Sequence, residues 1–165
     1  MRLAMIKTDE LLEIEGWTYD NRQCQVQFDE DRVQAFISLA RKDLASEWEF
    51  SVVISNDSAV REANRKYRKV DRATDVLSFP SEEGRPYTRS GGYIGDLLIS
   101  AARAAEQAEQ HEHSVTDEIQ VLALHGLLHL IGFDHEKDSG EMLEFETVLR
   151  RKYGLPAGLT ERTSQ

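Results

Sequence analysis

The apolar positions of this chain follow two periods, one typical of helices and the other typical of strands. After acidic residues at positions 29–31, which favour a helix N-terminus, apolar residues recur at helical spacing. These residues are Val33, Phe36, Ile37, Ala40 and Leu44. Segments that are rich in β-branched and aromatic residues, or that alternate in polarity, predict strands. They cover residues 12–14, 24–28, 48–54, 76–79 and 93–99, with a turn at Asp20-Asn21 between the first two.

Further helices are predicted where a capping residue precedes a helical pattern. The capping residues are Asn56-Asp57-Ser58, Ser100, Ser114 and Ser139. Ser114, with Asp117 three residues later, resembles a capping box for a helix that runs to about Phe133. The last helix is expected to stop near Gly154.

Strands and helices are interspersed, and a polar loop at residues 81–92 is expected to join two strands as a hairpin. We therefore expect an α+β fold in a single domain over residues 1–156, with a small mixed β-sheet packed against several helices. The 165 residues are enough for one domain with a real hydrophobic core. Residues 157–165 are expected to form a disordered tail.

Composition narrows the class of protein. The first twenty residues carry several charges, which argues against a signal peptide, and no apolar run reaches membrane-spanning length. The single cysteine, Cys24, excludes an internal disulfide and fits a reducing compartment. We expect it to be a packed strand residue. The protein is therefore expected to be cytoplasmic, with no membrane partner.

A basic segment interrupts an otherwise acidic chain, whose formal net charge is −10. Between Arg61 and Arg72 there are six basic residues and two acidic ones. Such a patch suits contacts with phosphate groups, although not tight nonspecific binding. A solvated helix face with ordinary lysines and arginines would have the same composition, so charge alone leaves both interpretations open.

Three histidines have a spacing that predicts a metal site. His125 and His129 are four residues apart, so on a helix both imidazoles project from nearly the same face. Gly132 can end the helix in the left-handed conformation and return His135 to the same ion. Three nitrogen ligands that leave a fourth position open are the layout of a catalytic zinc rather than a structural one. Residues 121–133 are otherwise largely apolar, which places this zinc site at the end of a buried helix.

Other polar residues near this motif have simpler interpretations. His111 and His113 lie in a polar connection and are expected to be solvated surface histidines. Asp134 could accept a hydrogen bond from an imidazole N–H, or it could be a turn residue after Gly132. The sequence pattern leaves both roles of Asp134 open.

One position distinguishes the motif from that of the metzincin proteases. Their pattern, His-Glu-x-x-His-x-x-Gly-x-x-His, is matched except that Gly126 stands where their glutamate acts as general base. Peptide hydrolysis by that mechanism would lack its base, whereas zinc chemistry at phosphorus or at a reactive carbonyl fits better. A metalloprotease or amidohydrolase therefore stays an alternative that rests on the spacing alone.

Two further blocks complete a family resemblance. They are residues 64–80, Asn-Arg-Lys-Tyr-Arg-Lys-Val-Asp-Arg-Ala-Thr-Asp-Val-Leu-Ser-Phe-Pro, and residues 95–100, Gly-Asp-Leu-Leu-Ile-Ser. With the histidine motif they closely resemble the YbeY family of bacterial rRNA maturation factors, over about residues 50–150. The resemblance implies a zinc-dependent, single-strand-specific endoribonuclease. It also implies roles in maturation of the 16S rRNA 3′ end, in ribosome assembly and in RNA quality control.

The same resemblance implies residue roles and partners. One zinc ion per chain would be held by His125, His129 and His135. Arg68 corresponds to the functional arginine of the family, and its guanidinium suits the catalytic stabilisation of charge on phosphoryl oxygens. The expected partners are single-stranded RNA and rRNA, with small-subunit ribosomal proteins and an assembly GTPase, but no DNA. The alternative is a non-catalytic ribosome assembly factor, in which zinc braces the fold and the acidic surface binds basic ribosomal proteins.

Overall fold

A mixed β-sheet lies at the centre of the structure. The computed structural model describes residues 12–14, 16–81 and 91–163. Among them are five strands, β1 (Leu12–Ile14), β2 (Trp17–Asn21), β3 (Trp48–Ser55), β4 (Val76–Pro80) and β5 (Gly92–Ser100). They lie in the order β1-β2-β3-β5-β4. The central pairs, β2 with β3 and β3 with β5, are parallel, and the two outer pairs are antiparallel.

Six helices surround the sheet within the described part of the chain. They are α1 (Glu30–Leu44), α2 (Asp57–Ala63), α3 (Ala101–Gln110), α4 (Val115–Leu130), α5 (Glu141–Lys152) and α6 (Leu159–Thr163). A π-helical turn, Asn64–Arg68, continues α2. In these described ranges, no helix is both long enough and apolar enough to cross a membrane. The predicted α+β class with a small mixed sheet is confirmed.

The two faces of the sheet are covered by different helices. One face carries large apolar side chains such as Phe50 and Leu97, which join the main core together with α1 and α4. The opposite face carries Val53 and Leu98, which form a smaller cluster with α2. Nearly every residue of α4 is buried, as expected for a helix that is apolar on all sides. The prediction of a buried helix that carries the histidines is therefore confirmed.

The predicted hairpin is present as the antiparallel pair of β4 and β5. Val76 is paired with Ile99 at one end, and Pro80 is paired with Gly95 at the other. The polar loop predicted between the strands falls largely on residues 82–90, which lie outside the described residues. Because β4 is an edge strand and follows the basic segment, that segment lies at the β4 edge of the sheet, and α4 packs against the same strand.

The strand prediction for residues 24–28 is wrong. The second strand is β2, and the Asp20-Asn21 pair, predicted to be a turn, forms its last two residues. β2 buries Trp17 to 2% exposure and pairs in parallel with β3, a partner that is remote in sequence. Local alternation does not reveal such pairing. Cys24 is consequently exposed rather than packed in a strand.

Three of the predicted helix caps are confirmed. In each, the side-chain oxygen accepts a hydrogen bond from the backbone N–H three residues later, and the caps are Asn56, Ser100 and Ser114. The cap predicted for the last helix is wrong, because α5 begins after Gly140 rather than Ser139. The Asp138 carboxylate takes over the role, since it accepts hydrogen bonds from the N–H groups of Gly140 and Met142.

The C-terminal residues differ from the disordered tail that the sequence predicts. Within α6, the Arg162 guanidinium donates to both carboxylate oxygens of Glu118, at 2.9 and 2.8 Å. Glu118 is 0% exposed, and His113 Nε2 lies 2.6 Å from its Oε2. His113 is therefore a largely buried partner rather than a solvated histidine, whereas His111 is exposed as predicted. Glu118 and Arg162 are 44 residues apart, so no local pattern signals the contact.

Replacing Arg162 with alanine is expected to lower the free energy of unfolding by about 2–4 kcal/mol. The change leaves the buried Glu118 carboxylate without its main cation, although His113 Nε2 still lies 2.6 Å from it. Urea unfolding at pH 7 measures the effect. Arg151→Ala, at an exposed arginine of α5, is the matched control and should change the free energy by less than about 0.5 kcal/mol. Equal losses in the two variants would contradict the prediction.

Candidate metal centre

The end of α4 is shaped by a glycine that turns the chain back. The helix ends at Leu130, and the Phe133 N–H donates to the carbonyl oxygen of Leu128 at 3.0 Å. Gly132 has a φ of 110°, and its N–H donates to the carbonyl oxygen of His129 at 3.1 Å. These two bonds form a Schellman motif. The helix therefore stops at Leu130 rather than near Phe133, and Gly132 redirects the chain as predicted.

This turn brings three histidines together. The ring centroids of His125, His129 and His135 are 4.8 to 5.3 Å apart. One nitrogen from each ring lies within 4.8 Å of the others, so the three could hold one metal ion. His125 is 7% exposed, whereas His135 is an exposed residue. The cluster consequently opens to solvent on the side of His135.

Hydrogen bonds behind two of the rings decide which nitrogen faces the cluster. His125 Nδ1 lies 2.9 Å from Glu146 Oε2, and His129 Nδ1 lies 2.9 Å from the carbonyl oxygen of Phe133. Both oxygens are acceptors, so each Nδ1 carries the hydrogen and each Nε2 keeps a lone pair. Burial, together with the neighbouring His125 and His135, lowers the pKa of His129 to about 4. Its imidazole is therefore neutral at pH 7 and able to bind a metal.

The two facing lone pairs fit a bound cation. His125 Nε2 and His129 Nε2 are 3.1 Å apart, a distance at which two lone pairs repel each other unless a cation lies between them. Tetrahedral zinc, with nitrogen ligands at about 2.0–2.1 Å, separates those ligands by about 3.3 Å. The observed spacing and the neutral imidazole of His129 therefore fit a transition metal such as zinc.

Glu146 is a site residue that the histidine motif does not predict. It is 0% exposed and lies on the inward face of α5, between the core residues Met142 and Leu149. The one signal in the sequence is that this glutamate occurs at helical spacing between two core positions. Because an unpaired buried charge is costly, a carboxylate there indicates a buried partner. Its bond to His125 follows a common arrangement in which a carboxylate orients an imidazole that binds metal.

Asp134 acts in the turn that follows the helix. Its Oδ1 accepts a hydrogen bond from the Glu136 N–H at 3.1 Å, and its Oδ2 lies 3.1 Å from Lys137 Nζ. The acceptor for His129 is instead the Phe133 carbonyl. Of the two roles that the sequence leaves open for Asp134, the structure supports the turn.

Gly126 faces the sheet rather than the three histidines. A Cβ atom here would lie 2.8 Å from Leu97 Cδ2, 3.2 Å from Ser78 Oγ and 3.3 Å from Val76 Cγ2. The Gly126 carbonyl oxygen accepts a hydrogen bond from the Ser78 hydroxyl at 3.1 Å. A glutamate at this position would point into the sheet, so the position cannot supply the general base of a metzincin protease.

Arg68 approaches β4 from the face of the sheet opposite α4. Its Nη2 donates to the carbonyl oxygen of Ser78 at 2.6 Å, and its guanidinium lies 5.7 Å from the Phe79 ring centroid. The same Ser78 donates to Gly126, the residue after His125. One strand residue thus contacts both the arginine and the helix of the histidines. Because Arg68 is exposed, its remaining N–H groups can meet a phosphate.

The other basic residues of the segment divide into two groups. Arg61 is engaged by Asp71 through hydrogen bonds of 2.7 and 3.1 Å. For four other exposed residues no ion pair is described, and they are Arg65, Lys66, Lys69 and Arg72. These four charges flank Arg68 in the chain and add positive potential around it.

Comparison with known proteins assigns the chain to a family. A family model described as Endoribonuclease YbeY matches residues 18–154. The chain belongs to the YbeY family. The family resemblance of the three sequence blocks, and with it the expected endoribonuclease class, is therefore confirmed.

Individual relatives agree with this YbeY assignment. A protein named Endoribonuclease YbeY from Solibacter usitatus is 41% identical over 148 residues, which are 90% of this chain and 95% of that relative. A protein of the same name from Helicobacter pylori strain J99 is 45% identical over 122 residues, 74% of this chain and 83% of that relative. The solution structure of a Thermotoga maritima protein shares the fold, with a TM-score of 0.57 and 23% identity. That likeness covers 82% of this chain and 89% of the other.

The YbeY match includes the candidate site but not the end of the chain. Within residues 18–154 lie Arg68, His125, His129, His135 and Glu146. Gly158 and α6 follow the matched region. The C-terminal segment therefore adds contacts that the family match does not describe.

Proposed function

We propose that this protein is a zinc-dependent endoribonuclease that cuts single-stranded RNA in the cytoplasm. In this proposal it acts in maturation of the 16S rRNA 3′ end, in ribosome assembly and in RNA quality control. The endoribonuclease name of its relatives supports the reaction class. The observation that carries the proposal is the three-histidine cluster of α4 and the turn after it, together with an exposed arginine that contacts β4. Ser78 of β4 accepts from Arg68 and also donates to Gly126 of α4.

In this proposal one zinc ion is held by His125, His129 and His135. When bound, the ion would act as a Lewis acid on the phosphodiester. Glu146 and the Phe133 carbonyl hold two of the imidazoles in the tautomer that presents Nε2 to the ion. The open side at His135 gives RNA access to the site. A purely structural zinc would instead be enclosed by four protein ligands, so this geometry favours catalysis over the non-catalytic assembly factor.

Arg68 is the proposed catalytic residue that binds the phosphate. Its guanidinium can donate two parallel hydrogen bonds to phosphoryl oxygens and stabilise the charge that develops on them. The bond to Ser78 and the contact with Phe79 hold the guanidinium in place before RNA binds. Less side-chain freedom is then lost on binding.

The proposed partners besides RNA are small-subunit ribosomal proteins and an assembly GTPase. The net charge of −10 favours contact with basic ribosomal proteins, while the exposed charges around Arg68 add a local positive potential that attracts RNA. We expect no DNA substrate, in line with the endoribonuclease name of the relatives.

Replacing Arg68 with alanine is expected to slow cleavage of single-stranded RNA by about 10²–10³-fold while zinc content is unchanged. The substitution removes a donor that acts on the phosphate and leaves every histidine in place. Cleavage is followed on an end-labelled oligonucleotide, and zinc is counted by mass spectrometry. A double-stranded RNA of the same sequence should resist the wild type.

The matched control is Arg65→Ala. Arg65 is an exposed arginine of the same segment, and no contact between it and β4 is described. This variant should slow cleavage by less than about threefold, because it removes only screened surface charge. If both arginine variants cleave RNA at the wild-type rate, Arg68 has no catalytic role. If the wild type itself gives no zinc-dependent cleavage, the proposed function is wrong.

A further inference from the structure

A buried carboxylate stands behind the first histidine of the cluster. Glu146 is fully buried, and its Oε2 accepts the hydrogen of His125 Nδ1 at 2.9 Å. Its other oxygen, Oε1, has no hydrogen-bond partner among the described residues. The His125 imidazole is thus the one described hydrogen-bond partner of the Glu146 carboxyl group.

Such a charge is poorly compensated without a cation nearby. A buried carboxylate is costly unless several hydrogen bonds or a positive group offset its charge. No lysine or arginine in the described ranges forms an ion pair with Glu146, whose one ion-pair candidate there is His125. A cation bound at His125 Nε2, on the far side of the ring, would supply the missing positive charge. The hydrogen bond from His125 Nδ1 therefore links Glu146 to the proposed metal position at Nε2 of the same ring.

The C-terminal segment packs against the other oxygen of this carboxylate. Gly158 is buried, and a Cβ atom at its position would overlap Glu146 Oε1. The φ of Gly158 is not positive, so the missing side chain makes room for the carboxylate rather than allowing an unusual backbone. Ion pairs from Arg162 to Glu118 and from Glu161 to Arg150 anchor the helix that follows. Gly158 is thereby held against Glu146.

We propose that Glu146 is a positioning residue for His125, and that Gly158, anchored by α6, keeps its carboxylate against the imidazole. The end of the chain, beyond the residues matched by the family model, would then help to set the metal affinity of the site. This inference rests on the proposed function, because it requires the three histidines to hold a metal ion.

The first test is Glu146→Gln, which keeps the shape and removes the charge. Its zinc affinity, measured by competition with a chromophoric chelator, is expected to fall by about 10–100-fold. The metal-free variant should resist urea at least as well as the wild type, because an uncompensated buried charge is gone. A residue with a merely structural role would lose stability and leave affinity unchanged. Glu144→Gln, an exposed glutamate of the same helix, is the matched control and should retain wild-type affinity.

The second test asks whether Gly158 acts through Glu146. Gly158→Ala is expected to lower zinc affinity by about tenfold, because the methyl group displaces the carboxylate from His125. In a Glu146→Ala background the methyl group has room, so Gly158→Ala should change affinity by less than about twofold. Equal effects of Gly158→Ala in the two backgrounds would refute its action through Glu146.

The outcomes separate this inference from the proposed function. If the wild type does not bind zinc, the proposed function fails, and the inference fails with it. If the wild type binds zinc and Glu146→Gln has the affinity of Glu144→Gln, only the positioning role is refuted.

Discussion

Replacing His129 with alanine is expected to abolish RNA cleavage and to lower zinc affinity by at least about a thousandfold. The variant keeps two of three nitrogen donors, which are too few to retain the ion in competition with water. The fold should persist, because His129 is only partly buried and lies at the end of α4. Zinc content after gel filtration and cleavage of labelled single-stranded RNA measure both effects.

The matched control for this change is His111→Ala, an exposed histidine outside the cluster. It should retain zinc and cleave RNA at the wild-type rate. Zinc-dependent cleavage that survives His129→Ala would show that the ion is held elsewhere.

A variant with both Arg68→Ala and His129→Ala should also fail to restore growth of a strain that lacks the protein. If it restored growth, the non-catalytic assembly factor would be the better description.

Gly126→Glu, which completes the metzincin pattern, is expected to unfold the protein rather than create a protease. The new side chain would start 2.8 Å from Leu97 Cδ2 and would place a carboxylate against the apolar side of the sheet. Steric overlap and an unpaired buried charge together cost more than about 5 kcal/mol, which is comparable to the whole stability of many domains. Circular dichroism and the soluble yield measure the outcome.

Gly126→Ala separates steric overlap from charge. Alanine is favoured over glycine in a helix by about 1 kcal/mol, while overpacking costs about 1–3 kcal/mol. The net loss in free energy of unfolding should therefore be about 0–2 kcal/mol, measurable in urea. A folded Gly126→Glu variant with wild-type stability would show that the position does not face the sheet. Cleavage of casein by that variant would revive the protease alternative.

Elements with strong local signals are predictable from the sequence alone. The cap at Ser114 and the glycine at Gly132 define both ends of α4, because each acts on backbone groups within a few residues. The strand predicted at residues 24–28 fails for the opposite reason. β2 is specified by parallel pairing with β3 and by burial of Trp17, neither of which has a local pattern.

The residues of the candidate site also differ in whether local sequence predicts them. The three histidines can be grouped from spacing, since one helix and one turn place them all. The contact of Arg68 with β4 depends on where a π-helical turn ends, and spacing does not give that position. Glu146 and Gly158 belong to the site only because α5 and the C-terminal segment fold back onto it. A contact that compensates a charge with a residue remote in sequence can be identified only from the folded structure.

The proposed metal ligands all lie within residues 125–135. A loop this short closes at little entropic cost even in an unfolded chain, so the unfolded protein retains some affinity for the ion. Zinc should therefore delay denaturation less than its affinity for the folded protein implies. During synthesis these residues also leave the ribosome before α5 and α6, so the ion can bind before the C-terminal helices fold. Its affinity would then increase when α5 packs and Glu146 bonds to His125.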